Sequence, residues 1–107
     1  MDQPSERHLP RLEIEYCTQC KWLPRASWVS QEILQTFRDR LGEVALVPGT
    51  GGVFRILVDA GSGPTLLWDR REAEAGVPDI VELKRQLRDV IASDLDLGHA
   101  DRHRAER

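Results

Sequence analysis

The chain has 107 residues, with 15 lysines and arginines against 18 aspartates and glutamates, for a formal charge of −3. That length supports one hydrophobic core and excludes two independent domains, and the absence of a basic excess makes nucleic acid an unexpected partner. The longest apolar runs span four residues, as in Val44-Ala45-Leu46-Val47, far short of the ~20 that a membrane helix needs, and Met1 to His8 has no apolar stretch like that of a secretory signal, so no membrane and a cytoplasmic location are expected.

Residues 1–10 are polar, carry two prolines and show no periodicity, which reads as a flexible leader. Leu12, Ile14 and Tyr16 then alternate with Arg11, Glu13 and Glu15, the period of a strand with one buried face and one wet face. From Trp22 to Leu41 the apolar positions Trp22, Ala26, Val29, Ile33, Leu34, Phe37 and Leu41 recur at helical spacings. Pro24 suits the first turn of that helix, where amides lack intrahelical partners, and Gly42 reads as its stop. Val44 to Val47 form a second strand, ended by Pro48-Gly49-Thr50-Gly51-Gly52. Phe54, Ile56 and Val58 give a third, and Thr65 to Trp68 a fourth, joined by the turn Asp59 to Pro64. Asp79, with Glu82 three positions on, caps a second helix whose stripe is Leu83, Leu87, Val90 and Ile91. Residues 94–107 read as a disordered tail, leaving 11–93 as the domain.

The order β-α-β-β-β-α gives an α+β two-layer sandwich, with a four-stranded mixed sheet and both helices on one face. The first two strands must be parallel, and the short connections to the third and fourth favour antiparallel pairing. If strand three lies beside strand one on the side away from strand two, the link Pro48 to Gly52 passes over the end of strand one. Both cysteines of the chain, Cys17 and Cys20, fall there.

A Cys-x-x-Cys between a strand and a helix start exposes sulfur to unpaired amides and to the positive end of the helix dipole, which favours thiolate. Lys21 and Arg25 add positive potential, and Glu13 and Glu15 oppose it from the strand. On this reading Cys17 is the more exposed sulfur and attacks a disulfide or an oxidised sulfur species, and Cys20 resolves the mixed disulfide. As a mere staple the pair would contribute roughly 2 kcal/mol by closing so short a loop, and a reducing compartment would keep it open. A metal site would need His99 and His103 as further ligands, at a sequence separation unlike a zinc finger's, so no metal and no cofactor are expected.

The glycine loop lacks the Lys-Ser/Thr ending of a phosphate loop and precedes a strand, which excludes a nucleotide site. Thr50, Gly51 and Gly52 instead offer close approach and free amides to a substrate chain near the sulfurs. Trp28 lies opposite the apolar stripe and should face outward as a contact for a partner or a second copy, whereas Trp22 heads the buried stripe. Arg70 and Arg71 emerge at the motif's end of the sheet and read first as a solvated turn, second as a substrate contact.

With Glu13-Ile14-Glu15-Tyr16-Cys17-Thr18-Gln19-Cys20, Gly51-Gly52-Val53-Phe54 and Leu67-Trp68-Asp69-Arg70-Arg71 in place, the chain from about Leu12 to Ile91 resembles the selenoprotein W-like redox family, in a bacterial-type form that uses cysteine throughout. The resemblance implies a thioredoxin-like fold with a shortened middle and thiol redox activity. Selenium-containing members carry selenocysteine at the position of Cys20, so the resemblance leaves open which sulfur attacks. The leading expectation is a thiol oxidoreductase cycling Cys17 and Cys20 between dithiol and disulfide on protein or glutathione-like substrates. The alternative is a protein-interaction module using Trp28 and the glycine loop, with redox state only modulating binding.

Overall fold

A computed structural model of the chain describes residues 8–73, 76–95 and 97–98. The elements are β1 (Arg11–Cys17), α1 (Leu23–Phe37), β2 (Glu43–Gly49), β3 (Phe54–Asp59), β4 (Pro64–Asp69) and α2 (Ile80–Ile91), with short 3-10 turns after β1, α1 and β4. The sheet order is β2-β1-β3-β4. β1 runs parallel to β2 and antiparallel to β3, and β4 returns antiparallel to β3. β1 is thus a central strand, and its C-terminal end is flanked by the last residue of β2 and the first of β3. The link between those two strands crosses that end, as the element lengths require.

One face of the sheet carries the core. Leu12, Ile14 and Tyr16 of β1 lie beside Phe54, Ile56 and Val58 of β3, and Ala26, Val29, Ile33 and Phe37 of α1 with Leu83 and Leu87 of α2 cover them. Both helices therefore pack on the same side, because only that side alternates apolar. The other face holds paired charges, Arg55 with Glu15 at 2.7 Å and Arg11 with Glu43 at 3.3 Å across neighbouring strands, and Arg11 with Glu13 at 2.8 Å within β1. Asp79 caps α2 by accepting hydrogen bonds from the Val81 and Glu82 amides, while the Glu82 side chain turns to Arg85 instead of closing a reciprocal cap.

The structure corrects four local expectations. α1 stops at Phe37 and does not reach Leu41, because Arg38 adopts φ 51 and ψ −122 and sends the chain into a 3-10 turn. Gly42 is accordingly not the helix stop. The backbone of His8 and Leu9 passes where its side chain would be, so a Cβ there would lie 2.6 Å from a His8 backbone atom, and the Gly42 and Glu43 amides donate to the Pro10 carbonyl. Leu34 and Val90, both counted on the buried stripes, are 45% and 40% exposed. Each sits at the margin of its stripe, where a two-layer fold leaves the flank of the helix uncovered.

Leu95 and Leu97, assigned to the tail by composition, lie partly buried against the core, so packing extends past residue 93. Residues 1–7 of the expected leader and 99–107 of the expected tail fall outside the described residues. No described helix is long and apolar enough to cross a membrane.

Arg38 occupies backbone space that glycine reaches freely and other residues reach at a cost of about 1–3 kcal/mol. Its side chain is exposed, so the Arg38→Gly variant should raise the unfolding free energy by about 1 kcal/mol in a urea titration, and a loss of stability would contradict the strain.

Candidate functional site

Cys17 closes β1 and opens a 3-10 turn, Thr18–Cys20. Lys21 ends that turn in the left-handed region, at φ 59, which redirects the chain before α1 begins at Leu23 with Pro24 in its first turn. The Thr18 hydroxyl donates to the Gly49 carbonyl at 3.3 Å and ties the turn to the end of β2. The motif is therefore held on its own turn between β1 and α1, and not on the helix itself.

The turn brings the Cys20 Sγ to 2.8 Å from the Cys17 Sγ, with Cys20 as donor. Both are free thiols. A covalent bond of about 2.05 Å needs only a small rotation of the two side chains. Cys17 is 1% exposed, and Cys20 is the partly exposed member of the pair. This reverses the expected accessibilities. Cys17 is still part of β1 and is buried there at the end of the strand, whereas Cys20 lies past the strand end and stays partly exposed.

The electrostatics of the two sulfurs diverge. The hydrogen bond from Cys20 holds the Cys17 thiol below the ordinary thiol range, with the Gly52, Gln19 and Cys20 amides adding to it and burial opposing it. Donation to Cys17 pushes Cys20 up, as do burial and the charge on Cys17, while Arg70 and the Gly52 amide pull it down. The amides responsible belong to the 3-10 turn and to the glycine loop. The expected source, the N-terminus of α1, begins beyond both.

In the glycine loop, Gly51 and Gly52 adopt φ 74 and φ 78, the left-handed values that the tight link demands. Gly52 reaches the sulfurs through its amide. Thr50 and Gly51 are exposed at the outer part of the loop. An aromatic row lies beneath, with Phe54 5.5 Å from Trp22 and in edge contact with Trp68 at 5.4 Å. Trp22 thus takes the packing role that its position on the stripe implies.

Arg70 departs from the first expectation of a solvated turn. Its guanidinium carbon lies 4.9 Å from the centre of the Trp22 ring, and its Nε donates to the Gly52 carbonyl at 3.1 Å. Buried Asp69 shapes the turn that carries it, accepting from the Arg71 amide at 2.9 Å, and this bond first of all holds the Asp69 carboxyl below its usual range. The sequence signal was present, since an aspartate between a strand and two arginines is a natural cap, but the direction of each arginine is set by the packing.

Trp28 is 47% exposed, as the helical wheel implies, and lines an apolar cleft of about 230 Å³ with Pro24, Arg25, Val29, Val77 and Pro78. Among the described residues no three His, Cys, Asp or Glu side chains converge as metal ligands would, and His99 and His103 lie outside those residues.

Because each thiol owes its largest perturbation to the other, removing one should move its partner back. In the Cys20→Ala variant Cys17 should titrate at higher pH than in the parent, and in Cys17→Ala Cys20 should titrate at lower pH. Thiolate absorbance at 240 nm followed against pH reads both. Unchanged midpoints would contradict the proton sharing.

The Rdx family model matches residues 11–89. A crystal structure from Bordetella parapertussis is 54% identical, with a TM-score of 0.69, over 78% of this chain and 99% of that one. A selenoprotein W-related protein from Vibrio cholerae is 42% identical, with a TM-score of 0.68, over 76% of this chain and 95% of that one. Comparison with curated proteins gives no match. The mixed four-stranded sheet under two helices is a thioredoxin-like fold of the selenoprotein W-related kind, and the chain is a member of the Rdx family.

Proposed function

We propose that the protein is a thiol–disulfide redox protein in which Cys17 and Cys20 exchange two electrons with a disulfide or dithiol substrate. The observation that carries this reading is the contact between the two sulfurs, 2.8 Å apart, with one reachable from solvent and the other enclosed by the fold. Family membership supports redox-type chemistry in general, and the pair supplies a place for it.

Exposure favours Cys20 as the attacking atom. In the singly ionised pair the proton rests on Cys20, and it passes along the short contact to Cys17 as Cys20 attacks. The Cys20 thiolate displaces one sulfur of the substrate disulfide, forming a mixed disulfide and releasing the other substrate half as a thiolate. That thiolate takes the proton from Cys17. The Cys17 thiolate then attacks the Cys20 sulfur, forming the internal disulfide and releasing the second half. Two electrons have moved from the protein to the substrate, and a dithiol or glutathione-like reductant returns them by the reverse steps. Gly52 serves this sequence through its amide, and Gly51 and Thr50 give the substrate chain room to approach. A reducing, cytoplasm-like compartment would keep the pair in its dithiol form.

A second reading rests on one observation, the exposed Trp28 beside an apolar cleft. On that reading the cleft and the glycine loop recognise a partner polypeptide, or a second copy of the chain, and the redox state tunes the contact.

The two single-cysteine variants test the leading reading. After exposure to an activated aromatic disulfide, Cys17→Ser should retain a stable mixed disulfide on Cys20, formed at least about tenfold faster than the adduct on Cys17 in Cys20→Ser, with intact-mass spectrometry as the readout. Equal rates would overturn the order of attack. Failure of both variants to form an adduct would overturn the redox reading.

A further inference from the structure

The site contains a charged side chain to which the chemistry above gives no task. We propose that Arg70 is a positioning residue for the sulfur pair: clamped between the Trp22 ring and the Gly52 carbonyl, it fixes the Gly52 amide against the cysteines and keeps a positive charge beside Cys20. This rests on the reading of Cys17 and Cys20 as the redox pair.

Arg70 begins the 3-10 turn after β4, and Asp69 stands opposite Arg55, one residue beyond the start of β3 at Phe54. This places the turn at the end of the sheet that carries the cysteines. From there the guanidinium satisfies two partners of different kinds, the face of an indole and a backbone carbonyl. A planar guanidinium can stack and donate in its own plane at once, which a lysine ammonium cannot reproduce.

The anchored carbonyl and the Gly52 amide belong to the two peptides on either side of one α-carbon. At a glycine both adjoining torsions are otherwise loosely held. Holding the carbonyl fixes one of the two peptide planes, so the amide moves against a held neighbour only through the φ and ψ of Gly52, and the amide is one of the donors to both sulfurs. The φ of 78 accounts for the glycine, and a Cβ there would also lie 3.2 Å from an Arg70 Nη, so the guanidinium would have to shift slightly. The charge itself favours the thiolate form of Cys20, opposing the burial and the Cys17 charge that disfavour it. Arg70 touches neither substrate nor reacting sulfur in this scheme. It acts through a peptide and through its field.

The test compares the wild-type chain with Arg70→Met and Arg70→Lys, all fully reduced. Alkylation by iodoacetamide is followed against pH, and mass spectrometry assigns the rate to each cysteine. Far-UV circular dichroism confirms that the sheet is retained. In Arg70→Met the midpoint for Cys20 should rise by about one pH unit, with a several-fold slower reaction at neutral pH. Arg70→Lys, which keeps the charge and loses the in-plane bond, should fall between the two. If Arg70→Met does not fold, Arg70→Lys decides alone: a rise confirms the clamp. Midpoints within about 0.2 unit of wild type in a folded variant would overturn the proposal. Because the thiols are titrated reduced, the result stands apart from disulfide exchange, so a wild-type pair that never cycles would sink the redox reading and leave this comparison intact.

Discussion

The contact between the two cysteine sulfurs is the constraint around which the rest of the molecule is arranged. A thiolate in a protein interior is costly unless donors replace the water it loses. Cys17 is buried and yet is held toward its ionised form, because the Cys20 thiol and the amides of Gly52, Gln19 and Cys20 supply those donors. The hydrogen bond outweighs burial as the larger influence on Cys17. The complementary cost falls on Cys20, which carries the proton and retains access to solvent. One sulfur is thus held toward the thiolate and enclosed, while the other is held toward the thiol and is reachable.

The fold delivers this arrangement through strand order. β1 lies between β2 and β3, so its last residue meets the ends of both, and the link between them must cross directly over it. That forces the left-handed glycines into the site and brings the Gly52 amide to the sulfurs. β4 completes the ring by returning Arg70 to the same end, over the Trp22 ring. Three separate stretches of sequence meet there, and the buried face of β1 and β3, together with the helices that cover it, holds them in place.

Much of this could be read from the residues alone. Period-two alternation in Leu12, Ile14, Tyr16 and in Phe54, Ile56, Val58 fixes which face of each strand is buried, and the connection lengths fix the pairing directions. The Cys-x-x-Cys and the glycine loop then fall at one end of the sheet by topology. What stayed illegible depended on three-dimensional detail. Arg38 in left-handed space ends α1 early, and no propensity marks an arginine for that conformation. The relative exposure of Cys17 and Cys20 turns on where β1 ends within the motif, a boundary that one residue's placement decides. The inward turn of Arg70 depends on an indole and a carbonyl supplied by distant parts of the chain, and its neighbour Arg71 remains exposed.

The central claim is that the two sulfurs gain and lose electrons as one unit. The most direct measurement equilibrates the protein across a graded series of reduced and oxidised dithiothreitol and records the 13Cβ resonances of Cys17 and Cys20. Both signals should move together, with one two-electron midpoint and a mass loss of two hydrogens. Independent midpoints, or a Cys17 resonance that stays at its thiol position throughout, would contradict the account.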